Sequence, residues 1–279
     1  MIKKVQSICL EMLDEFINVC KKHDLVWFAD FGTMLGAVRK GKMIDWDDDI
    51  DISMPREDYN KLLMIGPKVF KPPYFFQTPE TDAVFAVHAK IRRDNTTAIT
   101  TKEYKGMHHR GVFIDIFPID SYPENKAIGD SVTGLLRSIG RHSNVESTGH
   151  LNSNTSVNAN YAFSVINGVM TDISRNHHDS KHVGILMLNR YSAYIGVKLL
   201  RSDYEDYFEA EFDGLKNKLR IPTGYRNLLT AWYGSDWNIE KQEPNLHPEI
   251  FYDTERNYTY YNNISEKEFK KLCTIWSKV

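Results

Sequence analysis

Cysteine is scarce: Cys9, Cys20 and Cys273 are the three in a chain of 279 residues. An odd number without C-x-x-C spacing excludes a disulfide-framed secreted fold and a thiolate metal site. Cys9 and Cys20 fall on the apolar stripe of an amphipathic segment, where a thiol behaves as a small hydrophobe. Long apolar runs are missing as well. Val183 to Leu188 is the longest candidate, far below the roughly eighteen residues of a membrane span. Lys3 and Lys4 are followed by Glu11, Asp14 and Glu15, which interrupt any signal-peptide core. The expectation is a cytoplasmic protein without a transmembrane segment, at most peripheral to the inner membrane face. Net charge is nearly absent too, −2 from 35 basic and 37 acidic residues. Bulk electrostatic binding of nucleic acid is therefore not expected. The chain also lacks an internal repeat.

What is present is a globular composition, 42% hydrophobic, 26% charged and 12% aromatic, in a chain long enough to bury a full core. Acid is concentrated at one place. Asp45, Asp47, Asp48, Asp49 and Asp51 fall within seven residues, in IDWDDDIDISM. On an extended strand Asp47, Asp49 and Asp51 share a face, roughly 6.6–6.8 Å apart. At an effective dielectric of 20 each neighbouring pair repels by about 2.4 kcal/mol. Ile50 and Ile52 alternate with the acids, so one side wants a core while the other carries charge, a pattern foreign to a solvated loop. An EF-hand does not fit. Counted from Asp45, position six is Ile50 and position twelve Arg56; from Asp47 they are Ile52 and Asp58, where Gly and Glu are required. One or two divalent cations, turning repulsion into shared ligation, give the simplest relief.

The elements around this run follow from periodicity. Apolar residues at Val5, Ile8, Met12, Phe16 and Val19 predict a helix over residues 3–23. Leu25 to Phe31 reads as a strand, Gly32-Thr33 as a sharp turn, and Met34 to Arg39 as a short helix whose free N–H groups favour an anion. Asp47 to Met54 is the next strand, followed by a helix from Arg56 to Ile65, with Pro55 suited to its first turn. Four prolines make residues 66–79 a connector. Val84 to Arg92, Thr96 to Thr101 and Gly111 to Ile119 read as strands, the last placing Asp115 among apolar neighbours, where a lone carboxylate is costly unless paired or ligating. Ile128 to Ile139 and Val183 to Leu200 read as helices, and the Asn/Ser-rich residues 143–160 as a mobile loop. His177, His178 and His182 read as surface histidines. Tyr204, Tyr207, Phe208, Phe212, Tyr225, Trp232, Tyr233 and Trp237 crowd the last third. Most belong to a core, and some form a box for a cationic or sugar ligand.

A Gly-Thr turn after one strand, D-x-D on the next and a third acid on a later strand fit phosphoryl or nucleotidyl transfer. Two carboxylates bridge divalent metals that polarise phosphoryl oxygens. A third completes the shell and accepts the proton of an attacking hydroxyl. Gly32 and Thr33 hold phosphate oxygens, and the basic clusters containing Arg39, Lys90 and Arg92 supply further phosphate contacts, Lys90 and Arg92 against a diphosphate. His88, His108 and His109 have no spacing that suits a metallohydrolase.

At these residues the sequence resembles a known family. GTMLGAVR, IDWDDDIDI, MPREDY, AKIR and FIDIFPID are similar to the motifs of the LicD phosphocholine transferases and the fukutin-type enzymes. The resemblance is dense over residues 1–120, thins over 121–200 and returns loosely at Asp203 to Tyr207 and Pro222 to Tyr233. It implies an α+β fold of the nucleotidyltransferase, polymerase beta-like kind: a mixed sheet flanked by helices. A catalytic core at 1–120 would be followed by a mostly helical insert at 121–200 and a helical C-terminal part at 201–279, completing the domain and its acceptor side. It also implies Mg²⁺ or Mn²⁺, CDP-choline or another CDP-alcohol as donor, and release of CMP. The acceptor would be a glycan or glycolipid hydroxyl of a lipopolysaccharide, teichoic acid or capsule precursor. Carried over by position, Asp49 and Asp51 are the metal pair, Asp115 the third carboxylate, Gly32 and Thr33 the phosphate turn, and Asp47 a further metal-side acid. A true nucleotidyltransferase releasing pyrophosphate and a non-catalytic nucleotide- or glycan-binding relative are the rival expectations.

Overall fold

The computed structural model describes residues 2–82, 84, 86–100, 103–142, 153–189, 192–240 and 250–276. Helix α1 (Ile2–His23) buries Val5, Cys9, Met12, Leu13, Phe16, Ile17, Val19 and Cys20, and closes on Lys21, Lys22 and His23, which suit the negative end of its dipole. Strand β1 (Phe28–Ala29) is shorter than Leu25–Phe31, because Asp30 turns the chain. The Asp30 carboxylate accepts the Phe31 N–H at 2.8 Å and caps α2 (Phe31–Lys40). The helix thus begins three residues before Met34, and Gly32 and Thr33 are its first turn rather than a turn ahead of it. Gly41 ends it in the left-handed region, φ 65°, with its N–H on Ala37 O.

Strand β2 (Asp51–Pro55) also contracts. Residues 47–50 are irregular, so Asp47, Asp49 and Asp51 do not line one strand face as the alternation predicts. The Asp47 N–H closes a turn on Ile44 O, and the Gln6 amide donates to both Ile44 O and Asp47 O at 2.8 Å, drawing the segment onto α1. Helix α3 (Arg56–Val69) follows Pro55 and runs through Pro67. The predicted connector therefore contains the end of α3 and β3 (Tyr74–Gln77). Next come β4 (Ala89–Arg93), β5 (Thr97–Thr100) and β6 (Phe113–Tyr122).

The main sheet is ordered β1-β2-β6-β4-β3. β2 and β6 run parallel, with Asp51 opposite Asp115, and β4 runs antiparallel to β6, with Lys90 opposite Asp115. Helices α4 (Lys126–His142) and α5 (Ser153–Asn176) lead into β7 (His182–Asn189), β8 (Ser192–Ile195) and β9 (Leu199–Leu200). The helix expected over Val183–Leu200 is thus replaced by strands. β7 pairs with the second half of β6, Ile185 opposite Ile119, beyond the point where β4 stops. A short apolar run has no periodicity of its own, and the open edge of β6 decides its state. Of the expected 143–160 loop, residues 153–160 lie in α5, and the rest falls outside the described residues.

The last third is mixed rather than helical. β10 (Tyr207–Ala210) pairs with β11 (Leu219–Pro222), α6 (Tyr225–Tyr233) packs on α2, and β12 (Ile250–Asp253) pairs with β5 ahead of α7 (Glu266–Trp276). The fold class is α+β, as expected. One core joins α1, Ile50 just ahead of β2, the sheet residues Ile52, Met54, Ile91, Ile114 and Ile116, and Leu219, Leu228 and Leu229 of the last third. A smaller core of Val132, Leu136, Ile166, Met170 and Leu186 seats α4 and α5.

Two polar clusters brace this frame. Arg56, at the start of α3, makes a two-pronged pair with Asp120 of β6, Nε and Nη2 each at 2.6 Å, with side chains 3% and 0% exposed. Asn167 accepts the remaining arm at 2.6 Å, and the Ser174 hydroxyl donates to Asp120 at 3.0 Å. Near β5, Glu103 accepts the Thr100 N–H at 3.1 Å and lies 3.4 Å from His108 Nε2. Burial raises its carboxyl, but His108 and Arg92 outweigh that and hold it at about 2. Because the folded value lies below the ordinary 4.5, this contribution is complete above that pH and is lost as pH falls through about 2. Glu103→Gln should melt earlier than the parent at neutral pH, with the gap narrowing steadily as pH drops below 4.5. Melting curves across that range test it; a constant gap contradicts it.

Candidate metal and phosphate site

Three strand and loop segments bring the acids together. Asp49, Asp51 and Asp115 each offer an oxygen, all within 4.8 Å of one another. Asp47, Asp48 and Asp49 form a second such set, with Asp49 common to both. Asp47, Asp48, Asp49 and Asp115 are 3%, 1%, 7% and 7% exposed, and Asp51 is partly buried. Asp45 of the same run lies outside the cluster, paired with Lys3 and Lys42 at the surface. The Asp115 N–H bonds to Ile50 O at 2.8 Å, so the irregular segment enters β2 already docked on β6.

Helix α2 forms the wall behind the acids. Thr33 Oγ1 accepts the Asp51 N–H at 2.9 Å and fixes where β2 starts. A Cβ on Gly32 would stand 2.7 Å from Asp47 Oδ2, so only glycine leaves that carboxylate room against the helix. Asp30, which caps the helix, is fully buried and accepts Ser53 Oγ and Tyr204 OH, each at 2.7 Å. Burial raises its carboxyl, with Tyr204 and Ser53 pulling it back.

The charge states diverge. Burial, then Asp49, Asp115, Asp47 and Asp30, push the Asp51 carboxyl well above the usual range. Burial also raises Asp115, but Lys90 Nζ at 2.5 Å and His88 Nε2 at 3.1 Å from its Oδ1 outweigh this and hold it well below. Asp115 is therefore an anion with cationic company, whereas Asp51 faces mainly other acids. Burial, then the aspartates, also drive the Cys9 thiol up, which keeps it protonated and excludes it as a nucleophile. An all-carboxylate donor set that is buried, mutually repelling and convergent fits a hard divalent cation such as Mg²⁺ or Mn²⁺.

The other residues singled out from sequence separate. Lys90 joins Asp115 and also stands 3.9 Å over the Phe113 ring. Arg92 does not reach the acids: its buried guanidinium donates to Gln77 Oε1 at 2.5 Å and Gly111 O at 2.8 Å. Arg39 sits at the far end of α2, about 12 Å from the helix start, and donates to the carbonyls of Trp237 and Ile239. Asp48, Asp30, His88 and Tyr204 were not identified as site residues from sequence. For His88 a signal existed, since the strand expected over Val84 to Arg92 would put it on the face of Lys90 by the two-residue period, although β4 itself begins at Ala89. Tyr204 is 174 residues from Asp30, and no local pattern announces that bond.

Residues 24–137 match the family described as LicD/FKTN/FKRP, nucleotidyltransferase domain. The lipopolysaccharide cholinephosphotransferase LicD of Haemophilus influenzae is 30% identical over 129 residues, which are 46% of this chain and 47% of that protein. The chain thus spans about half the length of the curated relative it matches. The aspartates at 47, 48, 49, 51 and 115 all fall within the residues that match the LicD-type domain.

Proposed function

We propose, with the LicD-type domain as premise, that the chain transfers a phospho-alcohol, phosphocholine first among them, from a CDP-activated donor to a hydroxyl of a cell-surface glycan precursor. CMP would leave. The convergence of the Asp49, Asp51 and Asp115 oxygens within 4.8 Å, in a largely buried setting, is the observation that supports this reading. Those residues would hold Mg²⁺ or Mn²⁺, with Asp47 and Asp48 alongside. The bound ion would supply Lewis-acid polarisation of phosphoryl oxygens.

The remaining work belongs to the chain. Lys90 and His88 keep Asp115 ionised and aim its carboxylate from β6. Because both already contact one of its oxygens, we assign Asp115 to ligation rather than to taking the acceptor's proton. Gly32 and Thr33 bring the positive end of α2 to the acids, which suits phosphate oxygens. Lys90, held against Asp115, would add positive charge beside a diphosphate. The fold of residues 24–137 would then be the nucleotidyltransferase kind, with the core completed by α1 and the last third.

Incubation with Mg²⁺ and a panel of CDP-alcohols, following CMP with and without lipid-linked or soluble glycans, tests the proposal. Pyrophosphate from a nucleoside triphosphate, with no CMP from any CDP-alcohol, would point to nucleotidyl transfer instead. Gly32→Ala gives a second check. Alanine favours a helix by roughly 0.5–1 kcal/mol over glycine, and the crowded atom is the end of the Asp47 side chain. Stability should therefore hold or rise while the carboxylate is pushed aside. The expected result is at least about tenfold weaker Mn²⁺ binding by calorimetry, with the melting temperature maintained. Unchanged Mn²⁺ affinity would separate Asp47 from the ion.

A further inference from the structure

At the end of β2 away from the acids lies a cavity that the chemistry above leaves unused. Its volume is about 640 Å³, within the roughly 300–1,000 Å³ of small-ligand sites. Pro55, which lines it, follows Asp51 by four residues, about 13 Å along the strand. The first turns of α3, the last turns of α5 and the 3₁₀ turn Arg201–Tyr204 make its walls. Ile119 and Val183 supply carbon surface from the sheet.

Asn60 gives the first sign of a ligand. Thr171 Oγ1 donates to Asn167 O at 2.7 Å, so it can only accept from the Asn60 amide, whose Nδ2 stands 2.9 Å away. Asn60 Oδ1 is thereby turned from Thr171, buried and without a partner among the described residues. Buried carbonyl oxygens are ordinarily met by a donor, and Asn60 lines the cavity. The second sign is the balance of charge. Arg56, Lys61 and Arg175 line the cavity too, and each is already paired, with Asp120, Asp58 and Asp172. Arg201 donates to neutral oxygens of Ser180, Ser121 and His177. Glu57 and Glu205 are exposed acceptors with no ion pair among the described residues. The start of α3 thus presents Glu57 and Asp58 to an incoming group, which disfavours an anion. An apolar ligand would strand the amide oxygen and the carboxylates. A neutral ligand with several hydroxyls, each both donor and acceptor, can donate to Asn60, Glu57 and Glu205 and accept from Arg201.

We infer that this cavity binds a neutral carbohydrate through Asn60, Glu57, Glu205 and Arg201, at a place separate from the carboxylate cluster. The inference stands apart from the phosphotransfer reading and adds to the chain a sugar site that the acids do not require.

The test follows binding of glucose, galactose, mannose, N-acetylglucosamine and N-acetylgalactosamine to the full chain by saturation-transfer NMR, without added metal. At least one should bind in the millimolar range, and inorganic phosphate should not displace it. Asn60→Ala and Glu205→Ala should each weaken that sugar several-fold, up to about tenfold, the loss of one hydrogen bond. Glu205 is exposed, so its variant does not depend on that side chain to fold. Asp51→Asn should bind the same sugar within about twofold of the parent. Binding of no sugar, parent-like affinity in both cavity variants, displacement by phosphate, or weakening in Asp51→Asn overturns the inference. None of these outcomes touches the phosphotransfer reading, which CMP release decides.

Discussion

Asp51→Asn is expected to abolish CMP release, by at least on the order of a hundredfold, while the metal-free protein melts no lower than its parent. The two outcomes have one cause. In the folded chain Asp51 is pushed toward its neutral form by burial and by Asp49, Asp115, Asp47 and Asp30, so its charge is a liability until something positive sits among the acids. An amide keeps the shape and removes the charge. For a chain of this size each kcal/mol of relief shifts the melting temperature by roughly 2–4 °C. Added Mg²⁺ should raise the melting temperature of the parent and do little for the variant, because the variant has lost a ligand. Activity retained with Mg²⁺, or a variant that melts well below the parent in chelator, would separate Asp51 from the chemistry.

The second large effect is structural. Arg56→Ala leaves the Asp120 carboxyl 0% exposed and stripped of both prongs of its partner. Breaking a buried pair from one side costs about 3–5 kcal/mol, a drop on the order of 10 °C here. Removing both charges is a different experiment. Arg56→Met with Asp120→Leu eliminates the stranded carboxyl, and at least half of the lost stability should return. What remains missing would reflect Asn167 and Ser174, which lose their partners as well. Thermal denaturation of both variants decides. A single variant melting within about 2 °C of the parent, less than one kcal/mol, would show that water reaches Asp120 without cost.

Legibility in the sequence followed the range of the interactions. Helix α1 could be read because its apolar stripe repeats over 22 residues without help from elsewhere. The acidic run was legible as a convergent cluster of carboxylates because its repulsion is local. Its shape was not: Gln6, 41 residues upstream of Asp47, pulls the segment out of strand geometry. Arg56 and Asp120 stand in two motifs that could be quoted from sequence, yet their pairing spans 64 residues and has no local sign. Val183–Leu200 was misread for the same reason, since the edge that recruits β7 belongs to β6. Arg92 shows the converse error. A basic cluster on a strand expected to neighbour the acids suggested phosphate, but Gln77 and a carbonyl hold Arg92.

The segment that resembles LicD is not, by these contacts, a segment that could be excised. Gln6 tethers the acidic loop from before residue 24; Tyr204 steadies Asp30 and β7 covers the β6 edge from after residue 137. A fragment trimmed to 24–137 would surrender those supports together, baring an unpaired strand margin that invites self-association. Evolutionary relatedness and mechanical self-sufficiency thus have different borders in this chain, and the geometry of the acidic cluster depends on the wider one.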